Sequence, residues 1–244
     1  MVARGATAAD LTLAQVRTAL AAATSSHGAK LAGQSLRGLD LSHFDLRHAD
    51  LAGADLRGAK LVGANLADAD LSGTRLNLAW IMGADFTRAN LSGAVLETLV
   101  ASAGLETKPD EAAHFVDADL SGAHIMARFA YDDMRGAKFV GAMAAADMRN
   151  QSMGLIHTDF SNAKLKEADF SGAQLGHASF QFARLAGANF SGASLIDADF
   201  TGADLTGANL TGADATGADF EAATLKHVRG LDSVKGLQIK PPDR

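Results

Sequence analysis

A repeat of five residues runs through residues 158–227 and constrains the fold of this chain more than any other feature. The stretch divides without a gap into fourteen words of the type ADFSG, ADLTG and ANLTG. The third letter, here called the centre, is Leu or Phe except at Ala215, and the first letter is Ala except at Thr158. Side chains repeat about every 3.6 residues in an α-helix and about every 2 in a strand, so neither explains this period. The pattern therefore indicates a repeat architecture.

Each word is expected to form one side of a coil whose interior is filled by the Ala and the Leu or Phe. Gly is frequent at the fifth letter, where a corner needs a backbone angle open mainly to Gly or Asn. Asp or Asn before the centre can bond to neighbouring backbone, as in turns. Phe and Leu alternate at successive centres from Phe160 to Leu205. Coils of four words would stack Phe on Phe and Leu on Leu, which predicts a right-angled solenoid.

The tandem A(D/N)(L/F)xx words resemble the pentapeptide-repeat family, and the resemblance covers most of the chain. It implies an all-β fold, a right-handed quadrilateral parallel β-helix, with a word count that corresponds to about nine coils. Most members of that family have no known activity. Some members that protect bacteria from topoisomerase poisons resemble B-form DNA and bind gyrase.

Six segments follow from the repeat register. They are an N-terminal tail and capping helix (1–28), regular coils (29–98), an inserted loop (99–112), irregular coils (113–157), regular coils (158–227), and a C-terminal cap and tail (228–244). In the first segment, Thr12 and Gln15 form a capping-box pattern, with Leu11 and Val16 as the matching hydrophobic staple. A helical cap over the open end of the solenoid is therefore expected. The inserted loop fits no word and contains Pro109.

Composition limits the functions that this chain can have. The formal net charge of −6 argues against direct binding to nucleic-acid phosphates. The absence of Cys excludes disulfides and thiolate sites. No apolar run approaches the roughly 18 residues that a membrane span needs. Motifs for a nucleophile, a phosphate loop or a zinc site are missing, so neither enzymatic activity nor a cofactor is expected.

The N-terminus carries a pattern that bears on localisation. Ala6-Thr7-Ala8, followed by Ala9-Asp10, resembles the end of an A-x-A signal-peptide cleavage site. This resemblance favours an exported, periplasmic bacterial protein. The alternative is a cytoplasmic protein with an Ala-rich N-terminal tail.

Candidate binding residues cluster where the repeat becomes irregular. With the inserted loop left out of the count, stacking the residues that precede each centre places His114 above Trp80 and Asp133 above His114. Tyr131 ends the word before Asp133. The single Trp and single Tyr of the chain would then adjoin a His and an acid beside a long loop, which is typical of recognition sites. Alternatively, Trp80 only covers backbone or supports the loop.

Three functions remain open. The first is a non-enzymatic scaffold that recognises a protein or small ligand near Trp80, His114 and the loop at 99–112. The alternative is a DNA-mimicking protein that interacts with a topoisomerase such as gyrase, because Asp often precedes the centre. The second alternative is copper binding by His124 and Met143, since soft Met and His ligands suit copper. A purely structural spacer would not require the irregular segment.

Overall fold

The computed structural model describes residues 11–23, 28–102, 108–146 and 157–238, and most of this chain forms short parallel bridges separated by turns. The predicted cleavage site lies outside the described residues. So do the tip of the inserted loop, part of the predicted irregular coils and the last residues of the C-terminal tail.

Most regular words adopt the same local conformation, as the word 69–73 illustrates. Leu71, the centre, is 0% exposed, and its carbonyl accepts the first amide of the next word at 3.1 Å, which closes a turn. Asp70 Oδ1 accepts the Ser72 N–H at 3.0 Å and stabilises that turn. Gly73 follows with φ 63°, in the left-handed region that favours glycine. The five-letter pattern thus fixes which side chains point inward.

Parallel bridges between the second letters of the words link successive coils in four ladders. In the regular parts each bridge joins residues that are twenty positions apart, or four words, such as Lys60 and Trp80. The ladders are numbered by their first residues, which are Lys30 for ladder 1, Ser35 for ladder 2, Asp40 for ladder 3 and Asp45 for ladder 4. The chain is therefore a parallel β-helix with the centres and first letters in its core.

Ladders 1, 2 and 4 run through the irregular segment with changed numbers of residues between rungs, and ladder 3 is described up to Val100 and again from Arg128. Strand β1 (Val95–Glu97) pairs in parallel with strand β2 (His124–Met126) in ladder 2. Ladder 4 passes from Asp85 to His114, a step of 29 residues instead of twenty, because an insertion separates ladder 3 from ladder 4 at this level. A second lengthened step follows Met143, between ladder 2 and ladder 3.

Stacked aromatic rings fill the interior of the C-terminal repeats. Phe180 is 0% exposed, and its ring stacks on those of Phe160 and Phe200 at centroid distances of 5.0 and 4.8 Å. The rings of Phe170 and Phe190 meet Phe180 edge to face at 5.6 and 5.7 Å. Both arrangements are favourable for aromatic pairs. The predicted stacking of Phe on Phe is confirmed.

Helix α1 (Leu13–Ala21) lies at the N-terminal end of the β-helix. Thr12 Oγ1 accepts the Gln15 N–H at 3.3 Å, and Gln15 Oε1 accepts the Thr12 N–H at 2.8 Å, which confirms the predicted capping box. Val16 is 0% exposed and belongs to the core, while the Leu11 N–H donates to a carbonyl of ladder 2 at 2.8 Å. The helix is therefore attached to the first words by both packing and hydrogen bonding.

At the C-terminal end, a 3₁₀ turn (Leu231–Ser233) follows the last words. Partly buried apolar side chains of this end pack against the core, namely Val228, Leu231, Val234 and Leu237. Lys235 Nζ donates to Asp214 Oδ2 at 2.7 Å and lowers the pKa of that carboxyl to about 2. These four side chains recur every three residues in the sequence, and all four pack against the core.

Candidate functional site

An exposed apolar patch lies on ladder 3. Trp80 is 38% exposed and lies between Lys60 and Val100 in the ladder, and its side chain points outward because it precedes the buried centre Ile81. Leu78, at the preceding corner, is 58% exposed. The half-buried side chains of Val62 and Met82, each the fourth letter of a ladder 3 word, and of Val100 complete the patch. This surface is called the Trp80 face and consists of Val62, Leu78, Trp80, Met82 and Val100.

The inserted loop leaves the β-helix directly beside the Trp80 face. Leu99 and Ala101 are 8% and 7% exposed, and Val100 forms a bridge with Trp80, so the ladder continues to residue 101. The predicted start of the loop at residue 99 is therefore wrong. Ser102 Oγ donates to Glu111 Oε2 at 2.7 Å, which holds the two ends of the insertion together.

The extension of ladder 3 to residue 101 changes the position of His114. Its bridges join it to Asp85 and Asp133 in ladder 4, whereas Trp80 pairs with Lys60 and Val100 in ladder 3. The predicted stacking of His114 on Trp80 is wrong, because Val100 forms an additional rung of ladder 3 above Trp80. The predicted stacking of Asp133 on His114 is confirmed. An exposed His114 therefore lies on the side next to the Trp80 face.

Asp132 holds the point at which the insertion rejoins the β-helix. In regular words the first amide donates to the preceding centre, but Ala113 follows the insertion and donates to Asp132 Oδ1 at 2.8 Å instead. Asp132 is 1% exposed, and its Oδ2 has no hydrogen-bond partner among the described residues. Burial raises the pKa of this carboxyl well above its usual value. An acid occupies the usual Ala position because it satisfies that amide.

Asp133 points outward but is covered by two cations. Arg135 donates to both carboxylate oxygens at 2.7 and 2.9 Å, and Lys164 Nζ lies 3.7 Å from Oδ2. Burial alone would raise the pKa of Asp133, yet the hydrogen bonds and charges of Arg135 and Lys164 lower it. Asp133 is only 6% exposed, so solvent meets the side chains of Arg135 and Lys164 rather than the Asp133 carboxylate.

Tyr131 lies at the edge where ladder 3 gives way to ladder 4. Its φ is 68°, and its N–H donates to the Ser161 carbonyl at 3.1 Å, so the backbone there is fixed. Phe182, which is 59% exposed, is the fifth letter of a ladder 3 word farther along the same edge. The insertion leaves from this edge as well. The four candidate residues therefore surround one edge, with Trp80 on one side and His114 and Asp133 on the other.

The predicted copper ligands adjoin one another. His124 and Met143 form a bridge in ladder 2, and both side chains are exposed. Met134 is 0% exposed in the core, so it is not available as a third ligand. Within the described residues, no group of three or more His, Asp or Glu side chains could hold a metal ion. Copper binding stays a prediction.

A cavity of about 720 Å³ between α1 and the first words was not predicted from the sequence. Its lining includes Arg17, Leu20, Phe44 and His48, and the Arg17 guanidinium lies over the Phe44 ring at 4.9 Å. Phe44 replaces the usual Ala at a first letter, which was the available signal of this cavity in the sequence.

No helix in the portion of the chain that the structure describes is long and apolar enough to span a membrane.

Comparison with known families identifies the repeat. The sequence matches the Pentapeptide repeats family in eight copies, over residues 27–61, 59–97, 155–181, 173–212, 183–221 and 193–229. The chain belongs to the pentapeptide repeat family. Proteins of this family form right-handed β-helices, which confirms the predicted fold class at that level. They are generally structural or binding proteins without enzymatic activity, and the match indicates no catalytic family.

Several solved structures are similar to this chain. HetL, a protein of the cyanobacterium Nostoc involved in heterocyst differentiation regulation, is 28% identical, with 91% of this chain and 95% of HetL covered and a TM-score of 0.45. A pentapeptide repeat protein from the Arabidopsis thaliana thylakoid lumen is 35% identical, with 39% of this chain and 59% of that chain covered and a TM-score of 0.34. QnrB1, a plasmid-mediated fluoroquinolone resistance protein, is 22% identical, with 80% of this chain and 90% of QnrB1 covered and a TM-score of 0.37. A search of curated protein sequences gives no match. With all three TM-scores below 0.5, these structures identify no partner for this chain.

Proposed function

We propose that this chain is a non-enzymatic scaffold that binds a protein partner at the edge between ladder 3 and ladder 4. The observation that carries the proposal is the Trp80 face, which exposes a Trp and a Leu beside the insertion. Buried Trp anchors dominate the binding energy of many protein interfaces, whereas an isolated spacer would have no need of one at its surface. Loops that leave a rigid scaffold are also frequent carriers of binding residues.

The finer architecture is part of the same proposal. The four ladders are the four sides of a quadrilateral, stacked in about nine coils, and α1 is the cap of the N-terminal end. The bridges between residues twenty positions apart support the four-sided coil, and the burial of Val16 supports the cap. We keep the division into regular coils (29–98 and 158–227), irregular coils and terminal caps, with the insertion beginning after Ala101.

Each candidate residue has a different role in the proposed interface. Trp80 is the apolar anchor, because it is the largest exposed side chain of its face. His114 and Tyr131 supply polar groups at the rim of the contact. Asp133 does not contact the partner and instead positions Arg135 through two hydrogen bonds.

Removing the anchor is expected to abolish partner capture. The double variant Trp80→Ala/Leu78→Asn should bind the partner at least about tenfold more weakly than the unchanged chain does. Loss of an aromatic anchor costs about 2 kcal/mol or more of binding free energy. The measurement is quantitative capture from an extract of the source organism, followed by titration of the purified captured protein.

The matched control is Val140→Ser/Ile196→Ser, which removes two exposed apolar side chains from words of ladders 1 and 2. The control should capture the same partner as the unchanged chain. Equal capture by all three proteins, with equal thermal stability, would contradict the proposal.

Gyrase mimicry is the alternative function, and it requires a continuous acidic surface. Many second-letter Asp side chains are used internally, as in Asp169, whose Oδ1 accepts the Ser171 N–H at 2.9 Å. Ladder 4 also carries Lys164 and Arg184 on its exposed side. A supercoiling assay with gyrase separates the two functions, since inhibition at stoichiometric concentrations would support mimicry.

A further inference from the structure

Four cations form one exposed group on the ladder 4 side of the edge. Lys164 and Arg184 are neighbours in ladder 4, directly above Asp133. Arg135 and Lys166 are the fourth letters of the Asp133 and Lys164 words, and the Lys166 carbonyl accepts the Gly136 N–H at 3.0 Å. All four cationic residues are exposed. They are called the basic cluster, which consists of Arg135, Lys164, Lys166 and Arg184.

The basic cluster has more positive charge than its neighbouring carboxylates neutralise. Arg135 and Lys164 share the single carboxylate of Asp133. Lys166 Nζ lies 3.3 Å from Glu167 Oε1. Within the described residues, Arg184 forms no ion pair. Four cations thus adjoin the carboxylates of Asp133 and Glu167, and the charge of Asp117 also acts on Arg135. One positive charge is left in excess before Asp204 on the next rung is counted, on a chain whose net charge is −6.

Its dimensions match a short run of carboxylates. Neighbouring rungs of a ladder are about 4.8 Å apart. Alternate side chains of an extended peptide are about 6.6 Å apart, a spacing that flexible Lys and Arg side chains on neighbouring rungs can reach. Asp204 occupies the next rung above Arg184, and His114 the rung below Asp133, so the cluster ends within three coils. Such a patch accommodates two or three acidic side chains.

We propose that the basic cluster binds an acidic segment of the protein partner. This inference rests on the proposed function and adds the chemistry of the partner. The segment contacts the Trp80 face with apolar side chains and crosses the edge to place carboxylates against Lys164 and Arg184. A nucleic acid fits less well, because sequence-independent binding to phosphates needs a long basic track, and Asp204 limits this one.

The experiment uses fluorescein-labelled hexaglutamate, titrated with the full chain and followed by fluorescence anisotropy. Lys164→Gln/Arg184→Gln is compared with the control Arg75→Gln/Lys226→Gln, which removes two exposed charges outside the cluster. Hexaglutamate should bind the unchanged chain and the control equally, and the cluster variant about tenfold more weakly. Binding should weaken strongly between about 0.05 and about 0.3 M salt, as expected for exposed charges.

The outcomes separate this inference from the proposed function. If hexaglutamate fails to bind at low salt, or if the control loses as much affinity as the cluster variant, the acidic-segment proposal is overturned. It is also overturned if six-nucleotide single-stranded DNA or anionic lipid vesicles bind the cluster more tightly than hexaglutamate. Trp80→Ala/Leu78→Asn should leave hexaglutamate binding unchanged, so a failure of partner capture in that variant concerns the proposed function alone.

Discussion

Replacing Phe180 by alanine is expected to lower the free energy of unfolding by about 3–5 kcal/mol. The ring is 0% exposed and contacts four other rings, two by stacking and two edge to face. Its removal leaves a cavity that the rigid backbone cannot close, because hydrogen bonds to both adjacent coils hold the word in place. Guanidinium denaturation followed by circular dichroism measures the loss.

Phe182→Ala is the matched control, because it makes the same substitution two residues away on the surface. Phe182 is 59% exposed, so its replacement should change the free energy of unfolding by no more than about 0.5 kcal/mol. Similar losses in the two variants would show that ring burial does not stabilise this part of the β-helix.

Asp132→Ala is expected to destabilise the chain by about 1–3 kcal/mol at acidic pH, because the buried Ala113 amide loses its acceptor. Asp132→Asn keeps an acceptor oxygen and should cost less. Denaturation at a fixed acidic pH compares the two variants with the unchanged chain. Since Ala113 directly follows the insertion, Asp132→Ala should also increase hydrogen exchange around Ala113 more than elsewhere.

The same residue should give the chain a characteristic dependence on pH. The pKa of Asp132 is raised by burial in the folded chain, so between its unfolded value and its folded value the folded state binds more protons. Stability contributed by Asp132 is therefore full in acid and falls as pH rises through that window, by at most about 1.4 kcal/mol per pH unit.

Subtracting the free energy of unfolding of Asp132→Asn from that of the unchanged chain, at each pH, isolates this contribution. Other carboxylates, such as Asp214, have lowered pKa values and act in the opposite direction, but they are common to both proteins. The difference in free energy of unfolding should shift in favour of Asp132→Asn as pH rises above about 4. A difference that is constant between acidic and neutral pH would refute the assignment of a buried, protonatable carboxyl.

The fold was largely predictable because the side chain at each position of the five-residue word always points either into the core or out to solvent. Leu71, Phe180 and every other regular centre could be assigned to the interior from its position in the word alone. The helix α1 was also predictable, since the capping box of Thr12 and Gln15 is a local feature. Local hydrogen bonds and burial act together in both cases, so sequence and structure agree.

The candidate site was predictable only in part. Trp80, Tyr131, His114 and Asp133 were expected together, and they do surround one edge, but Trp80 and His114 lie in different ladders. The basic cluster was not expected, because its members are far apart in sequence. Only the ladder from Asp133 through Lys164 to Arg184 brings them together.

The sequence alone determined the period, the inward side chains and the existence of an irregular segment. Those properties depend on residues within one word, whose conformation a turn and a buried centre define. Only the tertiary structure decided which word lies above which, because this depends on how many residues the irregular segment places between two rungs. Residues 99–101 show the consequence: the burial of Leu99 and Ala101 places Val100 beside Trp80, which adds one rung to ladder 3 and moves His114 to ladder 4.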